Sequence, residues 1–405
     1  MTGGRIALVA LAMLAGLASA AAQDEQTPPP APPAVPSLEQ IAQEKQQLPD
    51  YVPLDVNFRI GIVGDFKKEL KLETGTTTQI KSPLILIDPR TGKPGVYAKN
   101  FPARIVGSSR NGVWVVGITP SGAVEGSSGS RSKECAVSLN LNDSSIKMIA
   151  EFPTHSNFQA LFAPTDNKVI YYCINEPGAE NAITRYDLQT QKAEPLPAEG
   201  NRFYLFGLTQ RQPGGVWASD PLSTKELPIL DLYDLQTGAV LQSVSFPGVS
   251  EVVAQPSGDN LLALVSSGAE ASLGYYSTAD STFHQVPKLV LTRPSVKWLR
   301  TGMTVIAKES TVTQDRFLSV DLATGEAREL FSGMFKVAYW DISPNDDALV
   351  FIIDSPDAPI LFVVPLDPKQ TTVNRIRLVD VTNISWIGCL NPPSGGSWLD
   401  RIMPF

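Results

Sequence analysis

Hydrophobic and polar residues alternate along most of this chain, in short runs that end at turn residues. Leu230 and Leu232 flank the polar Asp231, and the stretch Tyr233-Asp234-Leu235-Gln236-Thr237-Gly238 then leads into a second alternating run, Val240 to Val244. Alternation with a period of two predicts β-strands. Asp followed by Thr-Gly predicts a tight turn, because Asp bonds its own backbone and Gly accepts a positive φ. The stretch is therefore predicted to be a β-hairpin.

The same phrase recurs at a nearly constant spacing. Its second residue falls at positions 88, 140, 187, 234, 277, 321 and 365, so that successive steps are 52, 47, 47, 43, 44 and 44 residues. A second set of turns runs in phase with it: Pro164, Pro256 and Pro344, alternating with Arg110-Asn111-Gly112, Pro213-Gly214-Gly215 and Arg300-Thr301-Gly302. Each unit is predicted to contain strand A, a turn, strand B, a loop, strand C, the Asp turn and strand D. A period in the forties built from strands is typical of propeller blades.

Counting the repeats predicts an all-β fold, a seven-bladed β-propeller with four antiparallel strands per blade. The first C–D hairpin (84–98) precedes every A–B pair, and the last A–B pair (382–402) has no C–D hairpin after it. We expect these two to form one composite blade from the N- and C-terminal strands, which closes the ring and leaves no open sheet edge. In an alternative, Val56 to Ile62 contribute a strand to that blade. The predicted A–B pairs are 103–118, 157–175, 203–219, 250–266, 294–308, 336–353 and 382–402.

The recurrent Asp-Leu-x-Thr-Gly and Ser/Ala-Pro-x-x-Asp phrases resemble those of the broad WD-repeat/TolB-like class of β-propellers, specifically its secreted and periplasmic members. The resemblance covers about residues 55–402. Such phrases specify blade turns and no activity. The one Trp-Asp dipeptide, Trp340-Asp341, falls in a predicted strand A and not at the end of strand C, so it is not the WD signature.

The N-terminal region predicts export. Within residues 1–22, Arg5 is the only charge, Ile6 to Leu17 form an apolar run, and small residues at Ala18 to Ala22 fit a signal-peptide cleavage site. The run is shorter than the roughly 20 apolar residues of a spanning helix. Residues 23–54 are predicted to form a Pro-rich linker with a short helix, and residues 55–405 are predicted to form the propeller. We expect a secreted or periplasmic monomer with no membrane span after cleavage.

Composition narrows the possible chemistry. The 405 residues carry a formal net charge of −8, which disfavours a nucleic-acid partner. The only two histidines, His155 and His284, exclude a multi-histidine metal site, and there is no Gly-x-Ser-x-Gly elbow. Cys135 and Cys173 are predicted to lie toward the same face, so a disulfide between them stays open. The alternative is that they and Cys389 are small buried hydrophobic residues.

Two sets of residues are candidates for binding on the face formed by the D–A connections and B–C loops, which we call the loop face. The first set consists of polar residues before or at the start of strand A, which could surround the channel mouth. Its members are Asn100, His155, Asn157, Asn201, Arg202, Arg293 and Asn383.

The second set consists of acidic residues that follow strand B in consecutive blades. They predict an arc of carboxylates that could attract a basic protein segment, or a divalent cation. A solubility role for the same charges is the alternative. The arc comprises Glu176, Asp220, Glu270, Glu309 and Asp354.

The sequence thus predicts a non-enzymatic propeller that acts as a protein-interaction or ligand-binding module, with no catalytic residues and no cofactor. The partner is expected to be a protein, and a basic one if the arc binds it. The alternative is a propeller hydrolase or lactonase with a divalent cation held by Asp, Asn or Glu at the mouth of the central channel.

Overall fold

The structure is a computed structural model, and the residues it describes lie within Val35–Phe405. The predicted signal peptide, and the linker and short helix before Tyr51, lie outside the described residues. Within the described ranges there is no helix long and apolar enough to cross a membrane. These ranges are 51–66, 70–71, 77–78, 84–97, 104–176, 182–197, 204–209, 214–219, 229–245, 249–256, 260–355, 357–370, 372–391 and 402–404.

Seven antiparallel sheets form the blades of a β-propeller, as predicted, with strand A of each blade innermost. Blade 1 contains β6 (Arg104–Ser108), β7 (Trp114–Pro120), β8 (Lys133–Asn140) and β9 (Ile146–Pro153); blade 2 contains β10 (Asn157–Phe162), β11 (Val169–Asn175), β12 (Thr184–Asp187) and β13 (Lys192–Pro195); blade 3 contains β14 (Tyr204–Thr209), β15 (Gly215–Ser219), β16 (Ile229–Asp234) and β17 (Val240–Ser245). Blade 4 contains β18 (Val249–Ala254), β19 (Asn260–Ser267), β20 (Glu270–Ser277) and β21 (Thr282–Thr292); blade 5 contains β22 (Ser295–Trp298), β23 (Thr304–Ser310), β24 (Asp315–Asp321) and β25 (Ala327–Gly333); blade 6 contains β26 (Val337–Ile342), β27 (Ala348–Ile353), β28 (Ile360–Pro365) and β29 (Asn374–Arg377).

Blade 7 is composite and has five strands. Their order from the centre is β30 (Val381–Leu390), β1 (Arg59–Phe66), β4 (Leu84–Asp88), β5 (Lys93–Tyr97) and β31 (Ile402–Pro404). A short hairpin, β2 (Leu70–Lys71) and β3 (Thr77–Thr78), lies between β1 and β4 in the chain.

The predicted A–B pair at 382–402 is wrong, and the alternative with an N-terminal strand is confirmed. Strand A is β30, whereas strand B is β1, which pairs from Arg59 opposite Leu390 to Phe66 opposite Val381. Two prolines, Pro392 and Pro393, follow β30 closely in the sequence, and proline cannot donate to a sheet ladder.

The first described residues fasten the N-terminal segment to blades 6 and 7. The amide of Val52 donates to the side chain of Asn374 at 3.0 Å, and the Asn374 side chain donates back to the Val52 carbonyl at 2.8 Å. The Tyr51 hydroxyl donates to the carbonyl of Pro89, and Phe58 is fully buried beneath this segment. The chain therefore enters the ring on the face that carries the A–B and C–D turns, which we call the turn face.

The hydrophobic core is divided among the gaps between neighbouring blades. Each gap holds one cluster, because successive residues of a strand point to opposite sides of its blade. In β23, for example, Ile306 packs toward blade 6 whereas Val305 and Ala307 pack toward blade 4. Both sides of a blade are thus buried, which explains why every residue of Ala348–Ile353 is buried and apolar.

The recurrent aspartates act as the sequence predicts. The Asp234 carboxylate accepts hydrogen bonds from the amides of Gln236 at 2.9 Å and Thr237 at 2.6 Å, and these bonds lower its pKa. Gly238 takes the positive φ of 69°. Asp321 repeats the arrangement in blade 5.

The long B–C insertion of blade 1 is organised by one carboxylate. Glu151 accepts hydrogen bonds from the Ser121 hydroxyl at 2.6 Å and from the amide and hydroxyl of Ser128, both at 2.8 Å. These bonds, with that of Lys133, lower the pKa of Glu151 to about 2. The serine-rich sequence of the insertion therefore supplies donors to Glu151.

The three cysteines are free thiols, so the disulfide left open between Cys135 and Cys173 does not form. Both are fully buried, and burial raises the pKa of Cys173 to about 12. Cys135 and Cys173 therefore behave as small hydrophobic residues, the second of the two alternatives.

Candidate functional site

A cavity of about 430 Å³ opens at the centre of the turn face. It lies where strands A of blades 1 to 4 end and where the A–B turns begin. Its apolar wall comes mainly from blades 2 and 3, through Leu161, Phe162 and Phe206. Its polar residues are Ser108 and Arg110 from blade 1, Gln255 from blade 4, and Arg300 and Thr301 from blade 5.

Arg110 and Arg300 occupy the same position in their turns, two residues before a glycine with positive φ. Gly112 has φ 67° and Gly302 has φ 75°. The common turn geometry therefore places both arginine side chains at the edge of the same cavity. Arg110 is exposed and Arg300 is half-buried.

Hydrogen bonds from neighbouring blades hold the backbone of both turns. In blade 5, the Asp346 carboxylate of blade 6 accepts the amides of Arg300 at 2.9 Å and Thr301 at 3.2 Å. On the other side, the Gln255 side chain of blade 4 donates to the carbonyl of Gly302 at 2.9 Å.

The blade 1 turn is held in the same way. Asn167 of blade 2 accepts the amide of Asn111 at 3.0 Å, and Asn391 at the end of β30 donates to the carbonyl of Arg110. Both arginines are therefore carried by turns whose backbone is already fixed, and a bound molecule would not have to order them.

Burial and charge act together on Arg300. Loss of water lowers the pKa of its guanidinium, and the like charge of Arg110 lowers it further, against the opposing effects of Asp346 and Asp341. Asp341 is itself engaged, because its carboxylate binds Lys297 at 2.7 Å and accepts the amide of Cys389 at 2.9 Å. Arg110 and Arg300 thus bring two positive charges to the cavity mouth, with the carboxylates of Asp346 and Asp341 near Arg300.

The predicted polar set lies away from this cavity. His155 and Asn157 are exposed at the loop-face end of blade 2, and Arg293 is exposed between β21 and β22 with φ 42°. Asn383 is exposed and its side chain donates to Asp65 at 2.7 Å. None of these four lines the 430 Å³ cavity. Asn100, Asn201 and Arg202 lie outside the described residues.

The predicted arc of carboxylates is only partly available. Glu270 and Asp354 are exposed and Glu176 is half-buried, whereas Asp220 lies outside the described residues. Glu309 departs from the expectation, because it lies inside β23 instead of after it and is only 4% exposed. Its carboxylate binds Arg316 at 2.5 Å and accepts the amide of Thr292 at 2.7 Å.

The structure brings one member of each predicted set together. Asp354 and Asn383 line a groove of about 400 Å³ between blades 6 and 7 on the loop face, with Tyr339 beside them. In the part of the chain that the structure describes, no three His, Cys, Asp or Glu side chains group closely enough to hold a metal ion.

Sequence reasoning identified Arg110-Asn111-Gly112 and Arg300-Thr301-Gly302 as equivalent turns but did not assign the arginines to a site. The available signal was the repeated Arg-x-Gly. Equivalent turn positions in two blades lie on the same face of the ring, and this follows from the spacing of the repeats alone.

Neither comparison with protein-family models nor comparison with curated proteins finds a match. Solved structures do match. A putative 6-phosphogluconolactonase from Bacteroides uniformis is 11% identical with a TM-score of 0.50, over 82% of this chain and 99% of that one. A prolyl endopeptidase is 13% identical with a TM-score of 0.51, over 69% of this chain and only 43% of that one. TolB from Acinetobacter baumannii is 12% identical with a TM-score of 0.48, over 84% of this chain and 68% of that one.

The likeness is one of fold. At such identities it carries no activity, substrate or partner from those proteins to this chain. Together with the seven blades, it confirms the predicted β-propeller fold, and the site has to be interpreted from its own residues.

Proposed function

We propose that this propeller is a non-enzymatic binding module of the periplasm or the cell exterior, and that it holds its ligand at the cavity in the centre of the turn face. The observation that carries the proposal is the cavity itself. It is concave, it is lined by aromatic and aliphatic side chains with a few polar groups, and its volume of about 430 Å³ falls in the usual range of small-molecule sites.

The rigidity of the rim supports binding at this position. The turns of blades 1 and 5 are held by side chains from blades 2, 4, 6 and 7. A site whose walls are fixed before binding loses little conformational entropy when it is occupied. The export assignment rests on the N-terminal sequence pattern alone.

Fluorescence titration with N-phenyl-1-naphthylamine, a neutral apolar probe, tests the location of the site. The wild-type protein should give a saturable rise in fluorescence. Ser108→Trp, which fills the cavity edge at the end of β6, should abolish that rise, whereas Thr154→Trp at an exposed position of the loop face should not. Unchanged binding by the Ser108 variant would exclude the cavity as the site.

The same variants separate a binding module from the alternative hydrolase. Hydrolysis of δ-valerolactone by the wild-type protein, lost on chelation and in Ser108→Trp but kept in Thr154→Trp, would favour the cation-dependent enzyme. No hydrolysis above the buffer rate is expected from a binding module.

A further inference from the structure

The two arginines at the cavity mouth lack the carboxylate partner that several other cations of the described residues have. Arg59 binds Asp88 at 3.2 Å, Lys336 binds Asp315 at 2.7 Å, and Arg316 binds Glu309 at 2.5 Å. For the guanidinium groups of Arg110 and Arg300, by contrast, the described residues provide no carboxylate within ion-pair distance.

A partly buried guanidinium without a carboxylate partner lowers the stability of the protein unless another negative group balances its charge. A charge that is partly removed from water is normally paired within the protein. Here a half-buried guanidinium has a second positive charge near it at the same cavity, while the carboxylates of Asp346 and Asp341 act on it only from beyond ion-pair distance. The nearby carboxylates cannot turn to it, because Asp346 holds the backbone of the blade 5 turn and Asp341 holds Lys297 and the amide of Cys389. A negative group from outside would relieve the repulsion.

The apolar wall of the cavity indicates what kind of ligand carries the negative group. In the same cavity, Leu161, Phe162 and Phe206 provide an apolar wall with no charge. An arginine binds carboxylate and phosphate alike through its planar pairs of N–H donors. Two like charges at the mouth also repel a divalent cation, which disfavours the predicted alternative at this position.

We propose that the turn-face cavity is an anion-binding site, in which Arg110 and Arg300 hold a carboxylate or phosphate group and the apolar wall holds a small apolar body attached to it. This inference rests on the proposed function, because it names the chemistry of the ligand of the same cavity.

Isothermal titration calorimetry with matched small molecules tests the proposal. N-acetylphenylalanine and N-acetylphenylalaninamide share an apolar body and differ in one negative charge. The acid should bind about tenfold more tightly than the amide, as a charge-assisted pair of hydrogen bonds allows. Phenyl phosphate should also bind more tightly than the amide. Whichever of the two anions binds more tightly shows whether the site prefers a phosphate or a carboxylate. Acetate, which has the charge without the body, should bind at least about tenfold more weakly than the acid.

Four variants assign the preference for the acid to individual residues. Arg300→Gln should bring the acid down to the affinity of the amide and leave the amide unchanged, and Arg110→Gln should remove part of the preference. Arg104→Gln makes the same change in net charge at an exposed position at the loop-face end of β6, and it should leave all affinities unchanged. Arg300→Lys keeps the charge without the planar fork and should retain part of the preference. Thermal unfolding of each variant verifies that it is folded.

The outcomes separate the two proposals. Equal binding of acid and amide would overturn anion recognition while leaving the cavity as a binding site. A loss of preference in Arg104→Gln as large as that in Arg300→Gln would reduce the effect to the overall field of the protein and overturn the site. If acetate binds as tightly as N-acetylphenylalanine, the apolar wall does not contribute to ligand recognition. No binding of any probe, with no response to N-phenyl-1-naphthylamine either, would overturn the proposed function itself.

Discussion

Gly112 is the point where the A–B turn of blade 1 meets the end of β30. A side chain there would place its Cβ 1.6 Å from the carbonyl oxygen of Asn391, and the backbone has φ 67°. Gly302, the equivalent residue of blade 5, has a similar φ of 75° but no atom within 4 Å of the same position. The two glycines share one conformational demand, and only Gly112 has the steric one.

This pair allows the two demands to be measured separately. Gly302→Ala should lower the free energy of unfolding by about 1 kcal/mol, the cost of a left-handed conformation for a residue with a Cβ. Gly112→Ala carries the same cost and must also push Asn391 away, so we expect an additional loss of at least about 2 kcal/mol. Urea denaturation at constant m-value measures both. Equal losses of unfolding free energy in the two variants would show that Asn391 can move away at little cost, so that the contact between β30 and blade 1 is easily deformed at this point.

The residues that the sequence could identify are those that act through their own neighbours. Asp234 and Gly238 form their turn with atoms two to four residues away, so the local sequence contains the whole interaction. Glu309 could not be placed in the same way. Its burial depends on Arg316 of the adjacent strand and on the Thr292 amide of the previous blade. The alternation of residues in β23 alone predicts neither of these contacts.

At the scale of elements, periodicity predicted the blades well because both sides of each strand are buried. Six predicted A–B pairs agree with the observed strands, from β6 and β7 through β26 and β27. The seventh failed because the partner of β30 lies more than 300 residues away in sequence. The cavity was missed for a related reason. It is formed by turns from several blades. Periodicity predicts where each turn lies in the sequence, but it does not predict which side chains meet at the cavity.

The ends of the B strands still offer a prediction on the loop face. Glu270 and Asp354 are exposed there and carry the part of the acidic arc that remains available to a basic segment. Glu270→Lys combined with Asp354→Lys should slow association with a fluorescent octalysine peptide about tenfold at low salt, and hardly at all at high salt. Stopped-flow fluorescence measures the rate.

A control with the same change in charge lies on the opposite face. Glu326→Lys combined with Asp367→Lys alters two exposed carboxylates of the C–D region. If both double variants slow association equally, the peptide responds to net charge and the arc is a solubility feature. This test is independent of the turn-face cavity, which neither pair of residues lines.

At the scale of the whole molecule, the ring is closed by strands from both ends of the chain. β30 provides Val381 and Ile387 to the cluster between blades 6 and 7, and Leu390 to the cluster between blades 7 and 1. It also pairs with β1 along most of its length. In contrast, β31 adds only an outer edge strand beside β5.

Deletion of residues 381–405 should therefore abolish cooperative thermal unfolding, because two core clusters and the inner pairing are lost together. Deletion of residues 402–405 removes β31 alone and should leave a cooperative transition at a slightly lower temperature. Differential scanning calorimetry measures both. A cooperative transition near the original temperature in the longer deletion would mean that six blades and an incomplete seventh are stable without closure.

The composite blade also orders the events of synthesis. β30 is made after every other inner strand, so a chain still growing on the ribosome cannot complete the gap between blades 6 and 7. Until it does, apolar residues such as Val350 and Ile352 of blade 6 lack their final partner and stay accessible. The last inner strand of the chain therefore both covers this apolar surface and completes the ring.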